Sequence, residues 1–133
     1  MLTTATFRLF GAPGRTAAEV TRRLGVDPTT AGEAGEPVGA RSRAVRSGSL
    51  WCLSSSPAAT EAELATHLRQ LLDVLEPRRA ELWALTRDGY LADWFCMVAS
   101  HAAEHAVELD RDLLGRLLAL PGELLLDVSG DDR

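Results

Sequence analysis

The segment YLADWFCMVA at residues 90–99 decides the fold class of this chain. It follows Arg87-Asp88-Gly89, a sequence typical of a tight turn, and its second half is almost wholly apolar. A short apolar run beside a turn signal predicts a buried strand, which we place at the centre of a sheet. The run at residues 81–86, on the other side of the turn, is the predicted partner strand of a hairpin.

Three segments show the 3.6-residue periodicity of amphipathic helices. Residues 17–24 follow Thr16, which has capping-box spacing to Glu19. A second, leucine-rich helix is ended by Pro77, and a third begins after the N-cap residue Asp110. The apolar stripes of the second and third helices are Leu64, Leu68, Leu71, Leu72 and Leu75, and Leu113, Leu114, Leu117 and Leu118.

The remaining apolar runs predict short strands. They lie at residues 6–10, 38–45, 49–54, 106–109 and 124–128, and residues 26–37 are predicted to form a loop. Helices that alternate with hairpins favour an α+β domain, whose mostly antiparallel sheet carries about three helices on one face. A ferredoxin-like arrangement, or a variant of it, is the nearest simple architecture. We predict a single domain over residues 1–133, with a polar tail from about residue 129.

Composition excludes several classes of function. The chain has 133 residues, with 14 Lys+Arg against 19 Asp+Glu and a formal net charge of −5. This acidic balance argues against binding to nucleic acid or to an anionic membrane. Every basic residue is arginine, so lysine-dependent chemistry such as a Schiff base, a pyridoxal phosphate anchor or a phosphate-binding loop is excluded. We therefore predict no cofactor.

The N-terminus and the cysteines point to a cytoplasmic protein. The first ten residues lack the basic and long apolar regions of a signal peptide. Cys52 and Cys96 each lie in an apolar run, and without a secretion signal a disulfide is not expected. We predict that both are buried free thiols.

An ordered set of motifs resembles a known family. It comprises Leu24-Gly25-Val26-x-Pro28-Thr29, then Gly32-Glu33, Trp51 and Ser55, followed by the leucine-rich helix and the apolar pattern over residues 113–127. In these motifs the chain is similar to the bacterial domain-of-unknown-function family 4279. The resemblance covers nearly the whole chain and implies a small cytoplasmic bacterial α+β domain. It implies no activity.

One candidate ligand site combines arginines with tryptophans. Arg41, Arg43 and Arg46 cluster in an otherwise acidic chain, and on a strand Arg41 and Arg43 would share a face. Guanidinium groups suit a carboxylate or a phosphate. If Trp51, Trp83 and Trp94 lined one concave sheet face, they would form an apolar pocket with the arginines at its rim. The simpler interpretation is a solvated strand face above core tryptophans.

A second candidate is the run His101-Ala-Ala-Glu104-His105, which has the spacing of inverted zinc proteases. No clear third ligand follows it, and the chain is small for such an enzyme. A polar surface connector is the simpler interpretation. His101 and His105 are therefore kept as alternative candidates for metal binding.

The leading functional hypothesis is a non-catalytic, protein-binding or immunity-type interaction domain, because no catalytic set stands out and an acidic surface would complement a basic partner. The alternative is a protein that binds an anionic small molecule, or a small enzyme, with a pocket between sheet and helices. For that alternative the residues to test are Asp93, Arg43, His67 and His101. A homodimer formed through an exposed sheet edge or a leucine-rich helix is a third, structural hypothesis.

Overall fold

One sheet of five strands organises the computed structural model, which describes residues 2–41, 43–59, 61–100 and 106–130. The strands are β1 (Leu2–Gly11), β2 (Thr30–Gly32), β3 (Leu50–Ser54), β4 (Tyr90–Ser100) and β5 (Glu123–Gly130). The helices are α1 (Ala17–Leu24), α2 (Leu64–Leu75), α3 (Arg79–Arg87) and α4 (Arg111–Leu118), with short 3₁₀ turns at Pro57–Ala59 and Glu76–Arg78.

The spatial order of the strands is β2-β3-β1-β4-β5. All neighbouring pairs are antiparallel except β4 and β5, which run parallel because α4 lies between them in the chain. The α+β class and the mostly antiparallel sheet are therefore confirmed. A ferredoxin-like arrangement is compatible with these elements and stays a prediction.

Strict alternation in the central strands separates two faces of the sheet. Phe7 and Leu9 of β1, and Trp94 and Cys96 of β4, are fully or almost fully buried against the helices. We call this side the helix face. The intervening residues point to the other side, which we call the open face. One buried face and one accessible face are the usual pattern for an antiparallel sheet.

The three predicted helices are confirmed, with the caps that the sequence indicates. The hydroxyl of Thr16 accepts a hydrogen bond from the Glu19 N–H (3.0 Å), and the carboxylate of Asp110 accepts one from the Leu113 N–H (2.8 Å). Gly25 ends α1 with a φ of 68°, a conformation that glycine adopts without steric cost. The predicted leucine stripe of α2 is buried throughout.

Two of the three wrongly predicted strands lie at residues 81–86 and 38–45. Residues 81–86 belong to α3, so the turn at residues 87–89 joins a helix to β4 and not two strands. Residues 38–45 form no strand. A single bridge between Pro37 and Val45 is the only pairing there among the residues that the structure describes. In both segments there are too few apolar residues for their spacing to distinguish a strand from a helix or a loop.

The third wrongly predicted strand, an unpredicted strand and one strand end also differ from prediction. Residues 106–109 form no strand, whereas β2 lies inside the segment predicted as a loop. β2 exists because Thr30 and Gly32 pair with Cys52 and Leu50 of β3, a long-range contact that local sequence does not encode. β5 continues to Gly130, past the predicted start of the polar tail.

Candidate functional site

The open face carries more apolar surface than a simply solvated sheet face. The register places Phe10 beside Leu91 of β4 and beside Leu50 of β3. Further along β4, Phe95 and Met97 lie on the same face, and Met97 is exposed. An accessible apolar area of this kind on a small protein commonly marks a binding surface.

A bidentate ion pair between Arg8 and Asp93 lies at the middle of the open face. Arg8 Nε donates to Asp93 Oδ1 (2.7 Å), and Arg8 Nη2 donates to Asp93 Oδ2 (2.8 Å). The guanidinium carbon lies 4.5 Å from the ring centroid of Phe95 and 5.1 Å from that of Phe10. The hydrogen bond to Asp93 raises the pKa of Arg8 above its ordinary value. These contacts fix both charges and both rings in place.

A cleft of about 770 Å³ lies at the end of the sheet where β4 and β5 begin. We call it the end cleft. The residues that line it include Phe10, Trp83, Leu91 and Glu123. Leu91 is 76% exposed and Trp83 is 38% exposed, which is unusual for such large apolar side chains.

Two features prepare the end cleft to bind a side chain. The Trp83 Nε1–H donates to the carbonyl of Ala119 (2.9 Å), so the ring is held in one orientation before anything binds. Glu123 forms no ion pair with any residue that the structure describes. A fixed aromatic face beside an unpaired carboxylate suits a group with an apolar stem and a cationic end.

A smaller cleft of about 380 Å³ is lined by Arg46 together with Phe10, Val45 and Ser49. We call it the arginine cleft. The Arg46 side chain lies flat on Gly32, where an added Cβ would come within 2.2 Å of Arg46 Nε. Arg46 is partly buried and has no carboxylate partner among the described residues.

The structure does not bring the predicted arginine and tryptophan residues into one site. Arg41 and Arg43 are exposed in the segment between β2 and β3, and Arg46 lies in the arginine cleft. Trp51 and Trp94 are buried on the helix face. Their Nε1–H groups donate to Thr21 Oγ1 (3.0 Å) and to the carbonyl of Pro121 (3.1 Å), so both are core residues with their polar atoms satisfied.

The remaining candidate residues have other settings. His101 and His105 lie outside the described residues, so the structure does not place the predicted metal ligands. Over the described ranges, no three His, Cys, Asp or Glu side chains are grouped so as to hold a metal ion. His67 is buried in α2, and Asp93 is held by Arg8.

Cys52 and Cys96 are buried free thiols, as predicted. Burial raises the pKa of Cys96 to about 12. Burial also raises the pKa of Cys52, although the nearby guanidinium groups of Arg8 and Arg46 oppose that rise. Thiols that remain protonated at neutral pH are poor nucleophiles.

The comparison with protein families agrees with the motifs. The family model described as Domain of unknown function (DUF4279) matches residues 1–131. The chain belongs to this family. No curated protein and no solved structure matches the chain. No helix in the described part of this DUF4279 protein is both long and apolar enough to cross a membrane.

Proposed function

We propose that this DUF4279 protein is a non-catalytic binding domain that captures a basic segment of a partner protein at the end cleft. The observation that carries the proposal is the combination of two exposed apolar side chains, Trp83 and Leu91, with the unpaired carboxylate of Glu123 in one cleft. Tryptophan is among the residues that most often dominate the binding energy of an interface.

The electrostatics support a basic partner. The net charge of −5 attracts a positively charged protein from a distance and accelerates its association. Within the cleft, an arginine or lysine of the partner would lay its methylene groups on Trp83 and present its charge to Glu123. The partner therefore supplies the cation that Glu123 lacks.

The thiol and carboxylate chemistry favours binding over catalysis. The pKa of Cys96 is raised to about 12 by burial, so its thiol stays protonated at neutral pH. The carboxylate of Asp93 already accepts hydrogen bonds from both Nε and Nη2 of Arg8. A general base or nucleophile would need a pKa nearer to the working pH and an open position beside it.

The first prediction concerns binding of this partner. A protein captured from the native host, identified by mass spectrometry and purified, is titrated calorimetrically against wild type, Trp83→Ala and Glu123→Gln. Loss of the aromatic anchor is expected to weaken binding about 30-fold, the size of an interface hot spot. Removing the carboxylate charge is expected to weaken binding and to reduce its salt dependence.

The matched control is Val74→Ala on α2, whose side chain is also exposed but does not line the end cleft. This variant is expected to bind like wild type. The proposal is wrong if wild type captures no stoichiometric partner at low salt. It is also wrong if the captured protein binds Trp83→Ala and Glu123→Gln as tightly as wild type.

A second candidate function rests on the arginine cleft. We propose that Arg46 can hold an anionic small molecule there, because a partly buried guanidinium without a carboxylate partner is ready to accept one. This cleft lies on the open-face side of the sheet. The hypothesis drawn from the sequence instead expected a pocket between the sheet and the helices.

The second prediction is that Gly32→Ala displaces the Arg46 side chain from the arginine cleft. A methyl group in Gly32→Ala would overlap Arg46 Nε, so the guanidinium must leave its position, and a flexible side chain moves at little cost. Inorganic phosphate and citrate are the probes. At a hundredfold excess over its dissociation constant, a bound anion is expected to stabilise wild type by about 2.7 kcal/mol.

Thermal melts with and without each probe test this prediction. The stabilisation should disappear in Gly32→Ala and in Arg46→Ala, and it should persist in Arg43→Ala, where the substituted arginine is exposed outside the cleft. An equal shift in Gly32→Ala and wild type would contradict the second candidate function, as would the absence of any shift in wild type.

A further inference from the structure

The two edges of the sheet are protected very differently. On one side β2 is only three residues long, so it offers little backbone for another strand to pair with. On the other side β5 has eight residues, and β4 is its only partner among the described strands. Natural proteins usually shorten, charge or cover such an edge, because its unpaired N–H and C=O groups attract a further strand.

The side chains of β5 do not protect its edge. Every residue of the strand is exposed, including Leu124, Leu125, Leu126 and Val128. Leu126 is 49% exposed and Val128 is 68% exposed, although both lie on the helix face, where the corresponding residues of β4 are buried. The strand contains neither proline nor a basic residue. Apolar side chains on both faces of an open edge require a cover that this chain does not itself supply from its described residues.

We propose that β5 pairs with β5 of a second copy of this chain, antiparallel about a two-fold axis perpendicular to the sheet. Such an axis keeps every side chain on its own face, so a residue can pair only with one an even number of positions away. The pair forms one continuous ten-stranded sheet, with the helices of both copies on the same side. Two-fold dimers are the commonest oligomers, and both copies contribute the same surface.

Charge excludes two registers of this pairing. Centring the axis on Leu125 would place Glu123 opposite Asp127, and centring it on Asp127 would place two carboxylates face to face. Like charges directly opposite each other destabilise a strand pair. Centring the axis on Leu126 avoids both, because Asp127 then lies opposite Leu125.

The Leu126 register also uses most of the strand, residues 123–129, whereas centring the axis on Leu124 or Val128 would pair only three or five residues. Leu124 lies opposite Val128 on the helix face, and Glu123 lies opposite Ser129 on the open face. The strand can thus pair with itself over seven residues without placing like charges opposite each other. A standard interface buries about 800 Å² per partner, roughly a tenth of a small protein's surface. The surface of this chain is 8071 Å², so an edge of eight residues with its flanking side chains is of the right scale.

Oligomeric state gives the first test. Sedimentation velocity between ~1 µM and ~100 µM, a range that spans ordinary dimer affinities, is expected to show wild type reaching twice the 14.3 kDa chain mass. Leu126→Asp should be monomeric throughout, because the substitution places two carboxylates opposite each other at the axis. Val74→Asp adds the same charge at an exposed aliphatic residue of α2, outside β5 and outside both clefts, and should remain dimeric.

Cross-linking tests the register directly and does not depend on how Leu126→Asp folds. Two copies of residue 126 face each other at the axis, within the Cα separation of about 5–6 Å that a disulfide needs. Mild oxidation of Leu126→Cys should therefore give a covalent dimer. The control Ser129→Cys should not cross-link, because its two copies lie about 20 Å apart along the strands.

Either of two results would overturn the proposal: a wild type that stays monomeric at the highest concentration, or Leu126→Asp that remains dimeric. Equal cross-linking of Leu126→Cys and Ser129→Cys would also overturn it. None of these variants alters a side chain that lines the end cleft, so the oligomeric state is tested without changing the proposed partner-binding site.

Discussion

Trp94→Ala is expected to lower the free energy of unfolding by about 3–5 kcal/mol, the usual cost of removing a large buried aromatic side chain. Trp94 is 1% exposed on the helix face of β4. Its ring centroid lies 4.8 Å from that of Phe7, and its Nε1–H donates to the Pro121 carbonyl. Gly122, with a φ of 116°, packs its backbone against the same indole, so no side chain is available there to fill the cavity.

Small domains are stable by about 5–15 kcal/mol, so this loss is a large share of the total. Urea denaturation followed by circular dichroism measures it. The control is Trp83→Ala, which removes the same side chain from an exposed position with one hydrogen bond to Ala119. That variant is expected to lose about 1 kcal/mol. Equal losses in the two variants would contradict the assignment of Trp94 to the core and Trp83 to the surface.

The contrast between these tryptophans shows where sequence reasoning failed. Residues 81–86 were predicted as a strand because a turn and an apolar strand follow them, whereas Leu82 and Leu85 are buried at helical spacing in α3. Pro77 does end the leucine-rich helix, because α2 stops at Leu75. The chain then passes through a 3₁₀ turn, Glu76–Arg78, directly into α3, which the sequence does not predict. Two buried residues three apart cannot by themselves separate a short helix from a strand.

The elements predicted correctly are those whose local signals agree with the tertiary structure. The leucine stripe of α2, the cap of Asp110 and the apolar run of β4 each combine periodicity with a boundary residue. β2 failed this condition, because glycine, proline and threonine dominate its surroundings and only pairing with β3 makes it extended. Long-range pairing overrides weak local propensity in such segments.

The candidate site was only partly accessible from sequence. Arg8 and Asp93 lie 85 positions apart, so their ion pair could not be inferred from spacing. One sequence feature does point to the pair. Arg8 is the one charged residue of β1 and Asp93 is the one charged residue of β4, and each lies between two residues of the helix face. The end cleft was missed for a different reason. The sequence predicts Trp83 as a core residue of a strand, whereas it lies on α3, 38% exposed, beside the start of β4 and β5.

Alkaline pH is expected to unfold this protein through its buried acids. Burial raises the pKa of Cys96 to about 12 from an ordinary value of 9.0. Burial likewise raises the pKa of Tyr90 to about 12 from 10.0, and its hydroxyl donates to the Thr16 carbonyl (2.7 Å). Both groups are neutral in the folded state and ionise more readily once unfolded. Their contribution to stability is therefore complete below pH 9 and is lost as the pH rises from 9 to 12.

The size of this effect follows from the shift. Each pKa unit corresponds to about 1.4 kcal/mol, so the thiol alone would remove up to about 4 kcal/mol by pH 12. Denaturation of wild type at pH 7, 9, 10 and 11 should show stability falling above pH 9, where the thiol begins to titrate in the unfolded chain. Cys96→Ala is expected to start lower at pH 7 because of the small cavity it creates, and to fall less steeply above pH 9.

Cys52→Ala is the matched control for this slope. Cys52 is also buried, but it lies on the open face, where the charges of Arg8 and Arg46 favour its thiolate and oppose the effect of burial. Its removal should therefore change the slope less than removal of Cys96. If Cys96→Ala and wild type lose stability in parallel between pH 9 and 11, ionisation of this thiol is not what limits the fold at alkaline pH. Tyr90→Phe then tests the remaining buried acid, whose loss of stability begins one unit higher, near pH 10.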